Sequence, residues 1–371
     1  MNTFKKIIYP VLFVVGAVGF AVWDVFAVIS AAHVVRWYIA VVLGVVGVFV
    51  TVYLGIVMHE TGHLVFGLIG GMKFKSISFP FIRIYAADEK IKFSFTGAGA
   101  LLGACEMYPS GKASPKKAFV MESFGGLIGS FLALLLSVLC LALAPYISHY
   151  PAILFGLSSP VLYIILLENA FPVDQGGVRT DGGQILAILS GTPSGEALVA
   201  ILTVQAALKE GKTPSEIPYE LLFEIPQLPE DDPNYIFVLN YRYLHALDRG
   251  DHAAVMDADK RIRDVLDALP DFYADQVLCD LFYDAIAVEK DEEFVRRYEA
   301  RVLEFLEGEK DIVSCRIRGY YYFYYGDVLA AYREIDGGRL AFERYPLRGI
   351  AKTELRLLAE LEAEIARFAA R

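Results

Sequence analysis

Four apolar stretches, at roughly 7–29, 34–71, 118–144 and 151–172, constrain this chain more than any other feature. Each is long enough to cross a bilayer as a helix, which takes about 20 residues. Backbone polar groups have no partner in hydrocarbon, so a spanning segment satisfies them internally, as a helix does. A bundle of about four transmembrane helices is therefore predicted. Lys5 and Lys6 followed by an apolar run resemble a signal peptide, but the run continues from Ile7 through Val28 with only Asp24 interrupting it. No small-x-small cleavage site stands out, so a retained helix is expected. The second stretch would reach about 57 Å if wholly helical, which implies a long or tilted helix ending near Gly70-Gly71.

Charge divides the chain in two. Residues 1–190 carry a net +3 and residues 191–371 a net −13, which together give the −10 of the whole. The expected domains are a membrane domain, 1–190, and an acidic helical domain, 191–371. So acidic a second half argues against a nucleic-acid partner, because phosphate binding needs a basic face. Cys105, Cys140, Cys279 and Cys315 are widely separated and form no C-x-x-C pair, so neither a disulfide framework nor a zinc ribbon is indicated. Orientation follows from basic residues in short loops. The 72–117 segment holds Lys73, Lys75, Arg83, Lys90, Lys92, Lys112, Lys116 and Lys117, whereas Arg36 stands alone between the first two spans. That asymmetry predicts a multi-pass cell-membrane protein with both termini and the C-terminal domain in the cytoplasm.

Residues 72–108 do not read as helix. Ile77, Phe79 and Phe81 alternate, as do Ile91, Phe93 and Phe95, around the polar Ala86-Ala87-Asp88-Glu89, which predicts a β-hairpin. Its edge could accept an extended peptide or simply pack on the bilayer surface; Ser78 and Ser94 lie on the candidate edge strands. Beyond Gly191, Tyr241–Leu247 and His252–Leu269 form one expected helix pair, split by Asp248-Arg249-Gly250-Asp251. Tyr320–Tyr325 and Val328–Leu340 form another, split by Gly326-Asp327. Such units resemble tetratricopeptide-type repeats, and a one-off bundle is the competing reading. The fold class is thus mainly α: a polytopic bundle with a small hairpin and a soluble, tetratricopeptide-like helical domain.

The chemistry concentrates in His59-Glu60-Thr61-Gly62-His63. Histidines at i and i+4 project from one helix face and can share a Zn²⁺, with Glu60 beside them to handle the proton of a water. Ionisable groups within a span are costly to bury and are usually functional. Residues 64–71 would continue the helix by about 12 Å, placing the motif roughly one-third into the membrane from the cytoplasmic side. Asp24 with Arg36 is a candidate boundary pair, and Glu122 a candidate cavity-lining group.

Two histidines need a third ligand and an open position. After the fourth span the chain reads Glu168-Asn169-Ala170-Phe171-Pro172, then Thr180-Asp181-Gly182-Gly183-Gln184. With these residues the chain resembles the site-2 protease family of intramembrane zinc metalloproteases, which joins an H-E-x-x-H helix to a later N-x-x-P…D-G motif. Asn169 and Pro172 match N-x-x-P, Asp181-Gly182-Gly183 matches D-G, and Phe124-Gly125-Gly126-Leu127-Ile128-Gly129-Ser130 looks like the family's small-residue helix contact. The resemblance covers about residues 40–190. It implies one Zn²⁺ per chain held by His59, His63 and Asp181, with Glu60 as general base and Asn169 positioning the substrate or its oxyanion. Here Val173–Thr180 intervenes between proline and D-G, which the family seldom shows, and makes Asp174 a rival ligand. Asp181 is preferred because Gly-Gly and an apolar helical run follow it.

The function implied is regulated proteolysis of transmembrane protein or peptide substrates in the lipid bilayer, with a protein partner expected at the helical domain. The alternatives are a catalytically silent scaffold and a metal transporter. An intact H-E-x-x-H speaks against the first, and few ionisable residues along the other spans speak against the second.

Overall fold

The computed structural model describes residues 3–370 except 32, 88–89, 96–102, 111–113, 173, 176–177, 233 and 270. The chain divides into two compact units, Met1–Gly191 and Thr192–Arg371.

In the first unit, helices α1 (Thr3–Ala31), α2 (Trp37–Ile69) and α3 (Pro115–Ala142) are each long and apolar enough to cross a membrane. The fourth candidate span, His149–Ala170, is broken at Leu157-Ser158 into α4 (His149–Gly156) and α5 (Ser159–Ala170) rather than forming the single helix expected. The Ser137 hydroxyl of α3 donates to the carbonyl of Gly156 at 2.9 Å, supplying a partner at the break. The second stretch is one helix of 33 residues, about 50 Å long. It stops where the Gly70 N–H bonds to Phe66 O and Gly71 turns to φ 85°. His63 is therefore about 9 Å from the helix end.

Small residues draw these helices together. On α2, Gly47, Thr51 and Gly55 are buried four residues apart, and Glu60, His63 and Gly67 continue the buried face. A Cβ on Gly62 would lie 2.1 Å from the Gly125 carbonyl oxygen, and one on Gly125 would lie 2.2 Å from that of Gly62. The α2 and α3 backbones touch at this crossing, as small-residue faces permit. Asp24 of α1 does not meet Arg36. It accepts a hydrogen bond from Ser159 Oγ at 2.7 Å, while Arg36 donates to Tyr38 Oη.

The expected hairpin is part of a four-stranded antiparallel sheet of order β3-β2-β1-β4: β1 Met72–Phe79, β2 Ile82–Ala87, β3 Lys90–Phe95 and β4 Ala104–Pro109. Of the predicted turn Ala86-Ala87-Asp88-Glu89, Ala86 and Ala87 instead end β2, paired with Ile91 and Lys90 of β3, and Asp88 and Glu89 lie outside the described residues. An additional turn at Pro80-Phe81 breaks the alternation that had joined Phe79 to Phe81. Phe81 has φ 73°, the left-handed value that the residue after proline takes in a type II turn. Ser78 consequently lies on the internal strand β1, paired with both Arg83 and Ala104, while Ser94 is on the β3 edge. Ile91, Phe93 and Phe95 are exposed, not half-buried.

The second unit contains α7 (Pro193–Glu210), the short α8 (Glu220–Phe223), then α9 (Tyr235–Arg249), α10 (His252–Val265), α11 (Asp271–Asp284), α12 (Glu292–Leu306), α13 (Ile312–Tyr324), α14 (Val328–Ala341) and α15 (Arg348–Ala369). Both predicted helix pairs form. Gly250 and Gly326 take positive φ, and Asp251 and Asp327 cap the following helices by accepting from Ala254 N and Ala330 N. A third pair, α11 and α12, uses the same device with Lys290 at φ 61° and Asp291 accepting from Phe294 N.

Arg316 of α13 is fully buried in this unit. It pairs with Asp280 and Glu354, and its guanidinium carbon sits 4.1 Å from the Tyr283 ring centroid. Burial pushes both carboxyls up from their usual range, and the guanidinium opposes that shift. Removing one partner of a buried ion pair leaves the others uncompensated. Arg316→Met should therefore destabilise the second unit by roughly 3–5 kcal/mol, read by thermal unfolding of the full chain. Adding Asp280→Asn and Glu354→Gln should recover much of the loss.

Candidate metal centre

The i, i+4 spacing on α2 brings His59 and His63 together with ring centroids 4.6 Å apart and planes at 84°. Asp181 arrives on a separate element, α6 (Asp181–Leu189), where it is the first helical residue. Thr180 caps that helix by accepting from Gly183 N, and its hydroxyl donates to Phe171 O. From α6, Gln184 Nε2 donates to Ser123 Oγ of α3 at 2.8 Å, which ties the aspartate's helix to the α2–α3 pair.

Three ligand atoms converge. His59 Nε2 and His63 Nε2 are 3.1 Å apart, and Asp181 Oδ2 is 3.5 Å from the first and 3.6 Å from the second. Ligands on a tetrahedral zinc at about 2.0–2.1 Å stand roughly 3.3 Å from one another, so these edges bracket the expected triangle. The protons point elsewhere. His63 Nδ1 lies 2.9 Å from the carbonyl oxygen of Glu122, which can only accept, and 3.2 Å from the Glu122 carboxylate. A neutral His63 so fixed carries its proton on Nδ1 and a bare lone pair on Nε2. His59 Nδ1 has Ser130 Oγ at 2.8 Å. Asp181 Oδ2 is buried with no hydrogen-bond partner. With Ser130 accepting from His59 Nδ1, both Nε2 atoms are bare and three acceptors face one another, an arrangement that a cation would satisfy. His59, His63 and Asp181 form a group that could hold a metal ion.

Crowding protects the space between them. A Cβ on Gly126 would lie 2.3 Å from His63 Nε2 and 2.8 Å from Asp181 Oδ2, so α3 leaves a cradle of glycine there. Glu60 is buried, and the backbone of Cys105 in β4 hydrogen-bonds its carboxylate. Gly103 is as close: a Cβ there would fall 2.5 Å from Glu60 Cγ. Strand β4 therefore leads past the glutamate next to the metal group.

Of the residues singled out from sequence, His59, Glu60, His63 and Asp181 are brought together. The Asn169 amide instead donates to Ile165 O within its own helix at 2.9 Å. The side chain of Asp174 lies outside the described residues. Ser130 and Ser123 went unnoticed as individual partners, and Glu122 was noticed only as a lining group. Nothing in their spacing marks a contact with a helix some 60 residues earlier. No protein family, curated protein or solved structure matches the chain.

The group makes separable demands on its parts. Asp181→Ala should abolish stoichiometric metal binding by the purified protein, measured by elemental analysis, while Asp174→Ala should retain it. Ser130→Ala removes only the partner that orients His59. It should weaken metal binding by about 10–100-fold, measured by competition with a chelator.

Proposed function

We propose that this protein is a zinc metalloendopeptidase that hydrolyses peptide bonds in or near transmembrane segments of membrane-protein substrates. The observation that supports it most is the triangle of bare donors from His59, His63 and Asp181, with Glu60 one residue from the first of them. Two nitrogens and one carboxylate oxygen suit zinc and leave a fourth position open. Bound there, zinc supplies a Lewis acid for the scissile carbonyl and a water acidic enough to ionise near neutral pH.

The remaining steps fall to the chain itself. Glu60 takes the proton of the attacking water and delivers it to the leaving amine. Its anchorage to the Cys105 backbone keeps the carboxylate oriented during both transfers. Asp181, Ser130 and Glu122 hold the donor atoms and the imidazole tautomers. Asn169, on the helix just before the aspartate, serves the oxyanion once its bond to Ile165 is exchanged. Proteolysis would take place from the cytoplasmic side, where the basic 72–117 segment orients the chain.

A substrate helix must unwind before its carbonyls are accessible, and its freed donors and acceptors are then costly to leave unpaired in or near lipid. Strand β4 is the edge suited to receive them, because β1 is its one strand neighbour among the described residues and it packs on α2 beside Glu60. The β3 edge, three strands away, is not.

Glu60→Gln preserves shape but removes the proton acceptor, so it should retain metal and fold while abolishing cleavage of single-span substrates in detergent or liposomes. A second test reads strand pairing. N-methylation of alternate amides flanking the scissile bond of a synthetic substrate should slow cleavage by roughly 2–10-fold per lost hydrogen bond. Ser94→Pro on β3 should leave cleavage unchanged.

A further inference from the structure

The half of the chain beyond Gly191 holds 35 acidic residues against 22 basic ones, yet one pocket in it is lined by arginine. This pocket, of about 410 Å³, lies among the 219–223 segment, α9 and α10. Its chemistry comes from Tyr219, Phe223, Arg242, His245, Arg249 and Arg261. The volume falls within the range usual for small-molecule sites, about 300–1,000 Å³.

The two carboxylates on its wall are already engaged. Asp257 pairs with Arg261 at 3.2 Å, and Asp251 accepts from Ala254 N at 3.1 Å. Among the described residues, no carboxylate pairs with Arg242 or Arg249, so both guanidinium groups are open to an anion. Arg242 spends its Nε–H on the Leu222 carbonyl at 2.7 Å, which fixes the guanidinium plane and leaves both terminal nitrogens. Burial and the neighbouring Arg261 charge both push its pKa down. The pocket therefore holds three arginines against two carboxylates, and only Arg261 is paired with one of them.

Beside Arg242 lies a ring shelf. Tyr219 and Phe223 stack with centroids 4.5 Å apart and planes at 21°, and Tyr219 is largely exposed. Arg242 lies 5.4 Å from the Phe223 centroid. His245, edge-on to Phe223, is pinned by a hydrogen bond from Nδ1 to the Pro214 carbonyl at 2.8 Å. Guanidinium groups bind phosphate through paired N–H donors, and a planar ring stacks on an exposed aromatic face. We propose that this pocket binds a nucleoside monophosphate, with the phosphate on Arg242 and Arg249 and the base on the Tyr219–Phe223 shelf. A free phosphate would leave the shelf unused, and a lipid headgroup would bring no ring to it.

The inference is independent of the metal centre, so the test uses full-length Glu60→Gln protein in detergent. AMP, adenosine and inorganic phosphate are titrated separately by calorimetry. AMP should bind roughly ten-fold or more tightly than either fragment. Arg249→Gln, at an exposed position with no structural partner, should weaken AMP by roughly five-fold or more without lowering the Tm. Tyr219→Ala should weaken AMP while leaving phosphate binding as it was. AMP binding no tighter than phosphate, or AMP affinity unchanged in both variants, would overturn the proposal. So would a phosphotyrosyl peptide that binds more tightly than AMP.

Discussion

Two imidazole nitrogens and a carboxylate oxygen face one another inside an apolar helix bundle, within 3.6 Å of each other. In a medium that solvates charge poorly, such a cluster is unfavourable until a cation fills it. The rest of the first unit can be understood from that constraint. Each histidine must present Nε2 bare, so each Nδ1 needs a fixed partner, and α3 provides both through Ser130 and Glu122. The aspartate must come from a third element, so α6 begins with it and is held by the Gln184–Ser123 bond.

Distance is the price of that geometry, and glycine meets it. Side chains as short as serine reach His59 only because the α2 and α3 backbones touch at Gly62 and Gly125. The missing Cβ of Gly126 then leaves the volume that the three donor atoms share. A larger residue at any of these positions would push the helices apart and break the orienting bonds before it disturbed the ligands themselves. The sheet is subject to the same geometry. Strand β4 approaches Glu60 closely enough for a backbone hydrogen bond because Gly103 precedes it without a side chain.

Much of this was legible in the sequence, for physical reasons that can be named. Long apolar runs announce spanning helices, and i, i+4 histidines within one share a face whatever surrounds them. The resemblance of Asp181-Gly182-Gly183 to a D-G motif pointed to Asp181, and the fold brings it to the two histidines. The sheet was half legible. Alternation marked the β2–β3 turn, but Pro80 introduces a turn that leaves Phe81 at positive φ, and β4 (Ala104–Pro109) carries no apolar alternation at all. The broken fourth span was hidden because Leu157-Ser158 differs little from its apolar surroundings. The third helix pair of the second unit was missed because Lys290 stands where the other two turns have glycine. Only contacts across the bundle, such as Ser130 to His59, leave no local trace.

The two units treat buried charge in opposite ways, and the contrast separates structure from function. Around Arg316 the pairing is internal: one cation, two carboxylates and an aromatic face, all supplied by the chain. Such a cluster balances its charges within the chain, although Arg316 Nη1 is itself buried without a hydrogen-bond partner. Around Asp181 every group offered is an acceptor, and Oδ2 remains without a partner although it is buried. A buried polar group left unsatisfied costs about 1–3 kcal/mol, and Asp181 Oδ2 is such a group beside an apolar helix. A fold retains that cost when something outside the chain repays it. Arg242 and Arg249 of the second unit are likewise without carboxylate partners among the described residues; an anion would meet them, as a cation would meet the group of His59, His63 and Asp181.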